Sequence, residues 1–114
     1  MPLSVTPRSG LDLTALSLGC AQLGNLNRAV PDDAAAATVD AAWKLGIRYF
    51  DTAPHYGLGL SERRLGAALS GRPRDAYVVS TKVGRLLEPL PSPYGRDDGG
   101  FDVAATHRRV WDFS

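Results

Sequence analysis

Three short β-rich runs end at Cys20, Asp51 and Lys82, each 31 residues after the one before, and a helical pattern fills each gap. A repeat of roughly 30 residues is the length of one βαβ unit, whose strands run parallel and whose crossover is right-handed. The order strand, helix, strand, helix, strand therefore predicts an α/β fold, and the even spacing favours a closed barrel over an irregular open sheet.

Local chemistry sets the elements. Val5, Leu11, Leu13, Leu16 and Leu18 flank a turn cluster from Pro7 to Gly10, which predicts a hairpin and then a strand ending near Cys20. The run PDDAAAATVDAAWKLG predicts a helix capped by Asp32 or Asp33, with Val39, Ala42 and Trp43 on one face, Lys44 in the last turn and Gly46 as the stop. IRYFD, Ile47 to Asp51, reads as a strand, SERRLGAAL as a helix capped by Ser61, and AYVVSTKV as a third strand. After Gly84 the periodicity stops, and Pro89, Pro91, Pro93, Gly95, Gly99 and Gly100 predict a long loop. Such a loop after a strand commonly walls an active site, and Trp111 is expected to pack it.

A (β/α)8 barrel takes about 250 residues, and three strands with two helices leave sheet edges and an apolar face uncovered. The 114 residues are therefore expected to be the N-terminal portion of a single barrel domain. Residues 1–19 would be the hairpin and first strand, residues 84–114 the long loop after the third strand, and the rest of the barrel would be needed for folding. The net charge of +1 gives no bias toward nucleic acid or an anionic membrane, and no apolar run has the length of a signal or a span. A cytoplasmic protein with neither partner is expected. A single cysteine, Cys20, excludes an intramolecular disulfide and a cysteine zinc cage.

The chemistry concentrates in FDTAPHYGLGLSERRLG, Phe50 to Gly66. Gly57-Leu58-Gly59 before a helix begins like a dinucleotide fingerprint, but Glu62 stands where its third glycine belongs and five residues separate Gly57 from the strand end. A metal site has only Asp51 and His55 to draw on, so no metal is expected. Proton transfer fits better. Strand ends of a parallel barrel converge on one mouth, so Asp51 and Lys82 can meet there with Tyr56 leaning over them from the loop. A free tyrosine holds its proton too tightly for an efficient acid at neutral pH, and a nearby ammonium favours the phenolate. A carboxylate beside the lysine keeps that ammonium charged. A plain Asp–Lys ion pair with a packed tyrosine is the alternative reading of the same trio.

The run Gly46 to Ala53, then Tyr56-Gly57, Ser61-Glu62 and Leu65-Gly66, resembles the N-terminal signature of the aldo-keto reductases, and Ser80 to Arg85 resembles their lysine strand. The resemblance, collinear from about Leu11 to Arg85, implies a (β/α)8 barrel plugged at its base by the hairpin. It implies an NAD- or NADP-dependent oxidoreductase in which Tyr56 is the general acid/base, Lys82 its electrostatic partner, and Asp51 the brace for Lys82 and a contact to the nicotinamide ribose. Cys20, Ala21 and Gln22 would lie beside the cofactor, and His55 would line the substrate mouth. The spacing YGLGLSERRLG is most similar to the branch that oxidises aldoses at C1 to lactones, the fucose and galactose dehydrogenase type. The family's fourth catalytic residue, a histidine, is expected beyond Ser114, and His107 is not given that role. The chain alone is expected to be inactive. Two further readings are a non-catalytic regulatory subunit on the same barrel and a Schiff-base lyase using Lys82. The intact trio weighs against the first, and the charge that Asp51 imposes on Lys82 against the second.

Overall fold

A computed structural model describes residues 4–5, 8, 10–92 and 95–114. The expected hairpin is present: β1 (Ser4–Val5) pairs antiparallel with β2 (Leu13–Thr14). Part of its expected turn, from Pro7 to Gly10, lies outside the described residues, as does Pro93. The strands β3 (Leu18–Gly19), β4 (Tyr49–Asp51) and β5 (Val78–Ser80) form a parallel sheet in chain order. Gly19 stands opposite Asp51, and Asp51 opposite Ser80, so one row of residues marks the C-terminal edge of the sheet. The third strand thus ends at Ser80, two residues before the expected Lys82. Cys20 N–H donates to the Asp51 carbonyl, and Thr52 N–H to the Ser80 carbonyl, each 2.9 Å, which carries the ladder one step past the strands.

Two helices cover one face of the sheet. In α1 (Asp32–Lys44) the buried residues are Ala35, Val39 and Ala42, at the spacing of one helical face. They join Leu23, Phe50, Leu65 and Leu69 in the core. Gly46, at φ +90°, stops α1 as expected: its N–H bonds the Trp43 carbonyl and Ile47 N–H the Ala42 carbonyl, 2.9 and 3.0 Å, a Schellman closure. Arg48 adds two donors there, to the Trp43 and Ile47 carbonyls, and stacks 3.6 Å over the Trp43 ring, which is only partly buried. The expected cap at the other end is replaced. Pro31 occupies the cap position, Asp33 reaches only the adjacent Ala34 N–H, and Asp32 pairs with Arg64 instead.

The second helix, α2 (Leu60–Leu69), follows Gly59 at φ +90°. Ser61 is not its cap. It is fully buried in the first turn, where its hydroxyl donates to the Cys20 carbonyl at 2.7 Å and bonds the Thr52 hydroxyl at 2.8 Å. Arg64 donates to the Leu23 and Val30 carbonyls and to Asn25 Oδ1, gathering the loop between β3 and α1 onto this helix.

The described residues of 84–114 hold more regular structure than the expected loop. They contain an antiparallel ribbon, β6 (Arg85–Pro89) with β7 (His107–Trp111), in which Leu87 faces Arg109. The intervening residues dock on the loop after β3: Asp102 N–H donates to the Asn25 carbonyl, Asn25 Nδ2 to the Asp102 carbonyl, and Asn27 N–H to the Gly100 carbonyl. Trp111 is largely exposed, stacked on Phe113 with Arg85 4.1 Å over its ring. Among the described residues no helix is long and apolar enough to cross a membrane.

Candidate active site

The C-terminal edge of the parallel sheet brings the three expected residues together. Asp51 ends β4 with one carboxylate oxygen taken by Ser80 Oγ at 2.5 Å and the other by Lys82 Nζ at 3.1 Å. Lys82 also donates to the Thr52 carbonyl at 2.9 Å and sits 5.0 Å from the centroid of the Tyr56 ring. An ammonium over a tyrosine ring at that distance is a favourable cation–π arrangement.

The electrostatics follow from these contacts. The Ser80 hydrogen bond, helped by Lys82 and opposed by partial burial, holds the Asp51 carboxyl below its usual range. Burial works against the Lys82 charge, but the hydrogen bond to Asp51 and the nearby Tyr56 side chain outweigh it and raise the lysine above its ordinary value. Lys82 is therefore a firmly held cation at neutral pH.

Tyr56 is placed by backbone contacts. Its N–H donates to the Ala53 carbonyl at 3.2 Å, and its carbonyl accepts from Ser61 N–H at 3.1 Å. Gly57, at φ +67°, lies directly on Gly24, so close that a Cβ on either glycine would meet backbone atoms of the other loop at 2.4 Å. The amides of Gly59, Leu60 and Ser61 are all bonded within this loop, to the Pro54, Gly57 and Tyr56 carbonyls. That leaves none of the three free to cradle a phosphate.

His55 packs edge-on against Tyr56 at 4.8 Å and lines a pocket of about 240 Å³ with Pro54, Lys82, Val83, Arg85 and Trp111. Burial, and then the charges of Arg85, Arg109 and Lys82, lower its pKa, so it faces the pocket as a neutral ring. His107 does not line this pocket. It begins β7 and borders a separate cleft with Asp97 and Arg108.

Cys20 is 1% exposed, its thiol turned to the Leu18 carbonyl and pushed up to about 12 by burial, so its side chain packs in the core at the end of β3. Ala21 is half-buried and Gln22 exposed in the turn that follows β3, at the same end of the sheet as Asp51. Ser80 was not singled out in the sequence, although it lies two residues before Lys82, where strand alternation puts both on one face.

The model of the aldo/keto reductase family matches residues 15–108 of this chain. The chain belongs to the aldo/keto reductases. It is 59% identical over 109 residues to a D-threo-aldose 1-dehydrogenase from a Pseudomonas species, covering 93% of this chain and 33% of that protein. A pyridoxal 4-dehydrogenase from Microbacterium luteolum is 45% identical, over 94% of this chain and 33% of its own length. An aldo-keto reductase from Bacillus halodurans, solved in its holo form, superposes with a TM-score of 0.67 at 30% identity, over 98% of this chain and 31% of that one. The hairpin and three parallel strands are thus the N-terminal part of a (β/α)8 barrel of aldo-keto reductase type. The chain spans about one third of the length of these curated relatives.

Proposed function

We propose that the protein carrying this chain is an NAD(P)-dependent oxidoreductase that oxidises an aldose at C1 to a lactone, and that residues 1–114 are the N-terminal portion of its one barrel domain. The observation that carries the reading is the Lys82 ammonium held between the Asp51 carboxylate and the Tyr56 ring. The aldose as substrate is supported by the D-threo-aldose 1-dehydrogenase relative.

The residues suit a nicotinamide nucleotide. Ser80 and Lys82 each engage one oxygen of Asp51, and the carboxylate, 37% exposed, keeps lone pairs free to accept from ribose hydroxyls. Asp51, Ala21 and Gln22 would hold that end of the cofactor. When bound, the nicotinamide ring supplies the hydride chemistry. Tyr56, as the phenolate, takes the proton of the sugar hydroxyl on Oη in the oxidising direction, and as the phenol returns one in the reducing direction. Lys82 offsets the negative charge that develops on the phenol and substrate oxygens, and its position fixed by Asp51 and Thr52 means little reorganisation accompanies the step. The neutral His55 ring can hydrogen-bond a sugar hydroxyl at the pocket mouth. A lysine held charged disfavours the Schiff-base route, which needs a free amine.

The test is Tyr56→Phe in the whole protein, with an aldose and NAD+ or NADP+. Turnover is expected to fall by about 10²- to 10⁴-fold with cofactor affinity retained. Undiminished turnover would remove Tyr56 from the chemistry.

A further inference from the structure

The loop carrying Tyr56 is held from a second side by the β6–β7 ribbon, and we propose that the Arg109–Asp97 pair, together with Phe101, positions the Tyr56 phenol. The inference rests on Tyr56 being the proton-transfer group.

Arg109 Nη2 donates to the His55 carbonyl at 3.0 Å. That carbonyl belongs to the planar peptide joining His55 to Tyr56, so fixing its direction fixes how the Tyr56 Cα and side chain leave the loop. The N–H of the same peptide is already bonded to Ala53. Both polar groups of the peptide are therefore engaged, one locally and one by a side chain 54 residues away.

Arg109 is itself fixed. Its two terminal nitrogens meet the two Asp97 oxygens at 2.5 and 3.0 Å, with the side chains only 16% and 3% exposed. This two-pronged geometry depends on the planar guanidinium, which an ammonium does not reproduce. Burial opposes the Asp97 charge, yet the Arg109 contacts and the amides of Gly99 and Phe101 hold its carboxyl below the usual range. The same turn presents Phe101 to the site. Its ring lies 5.7 Å from Tyr56 and 6.3 Å from His55, and the Arg109 guanidinium carbon is 6.0 Å from its centroid. The segment is anchored independently of Tyr56 through Asn25 and Asn27, so it is a fixed point against which the loop is held.

The test uses the whole protein with Arg109→Met and Arg109→Lys, each alone and combined with Tyr56→Phe. Arg109→Met is expected to lower kcat by about 10- to 100-fold, the scale of a misplacement near 1 Å, with cofactor affinity unchanged. Arg109→Lys should recover only part of the loss. In the Tyr56→Phe background the same change should cost less than about twofold, because no phenol remains to be placed. Amides of Ala53, His55, Tyr56 and Gly57 should exchange at least about tenfold faster while those of β4 keep their protection. A folded Arg109→Met protein with wild-type kcat, or one losing equally in both backgrounds, overturns the proposal. If Tyr56→Phe itself keeps full turnover, the proton-transfer assignment fails, and the exchange measurement still decides whether Arg109 holds the loop. If Arg109→Met does not fold, Asp97→Asn, which keeps the guanidinium, reads the same ratios.

Discussion

Replacing Gly24 by alanine puts one methyl group where the structure has no room, and the consequence should reach Tyr56. The new Cβ would lie 2.4 Å from the Tyr56 carbonyl carbon, 2.5 Å from its oxygen and 2.8 Å from Gly57 N. Ordinary contact begins at 3.4 Å, so the two loops must part by about 1 Å. No flexible side chain can absorb the shift, because every atom struck is backbone, and the Tyr56 peptide groups are tied to Ala53 and Ser61. A displacement of that size at a reacting group costs about 10² in rate. Overpacking of a tight contact costs about 1–3 kcal/mol in stability. The assay is kcat on an aldose with saturating NAD(P)+, beside chemical denaturation. Gly66→Ala is the matched control: nothing lies within 4 Å of its added Cβ, and in the middle of α2 it should gain up to about 1 kcal/mol with kcat unchanged. A Gly24→Ala protein with wild-type kcat would show that the Gly24–Gly57 approach does not place Tyr56.

Ser61→Ala removes the donor to the buried Cys20 carbonyl and the partner of Thr52, and should cost about 1–3 kcal/mol in equilibrium denaturation, whereas a loss under about 0.5 kcal/mol would mean those groups are satisfied otherwise. The Asp51–Lys82 pair gives a pH signature. Asp51 is lowered, so its contribution is present above the usual 3.8 and fades as pH falls through its folded value; Lys82 is raised, so its contribution is present below the usual 10.5 and fades as pH rises through its folded value. Between those limits the stability gap between wild type and Lys82→Met should change only where His55 titrates, at or below its usual 6.5, because Lys82 is one of the charges that lower it, and a gap that opens or closes above neutrality would assign the titration to other groups.

Much of the site was legible because two periodicities converge on it. Strand ends one βα unit apart put Asp51 and Lys82 on neighbouring strands, and the loop after Asp51 could bring Tyr56 to the same mouth. Ser80 was within reach of the same alternation. Arg109, Asp97 and Phe101 were not. They sit among prolines and glycines that hide the strands of the ribbon, and their contacts to the Tyr56 loop span more than 40 residues, a separation that no local pattern encodes.

By itself, the sequence determined the helices, the parallel strands between them and the Gly46 stop, because these follow from hydrophobic phase and from backbone freedom within a few residues. Only the tertiary structure decided which partner each polar group takes. Asp32 leaves the helix cap for Arg64, and Ser61 is buried against Cys20 and Thr52. The physical reason is that a buried polar group must find its partner wherever the packed chain brings one, and that partner is chosen by the packing of distant segments.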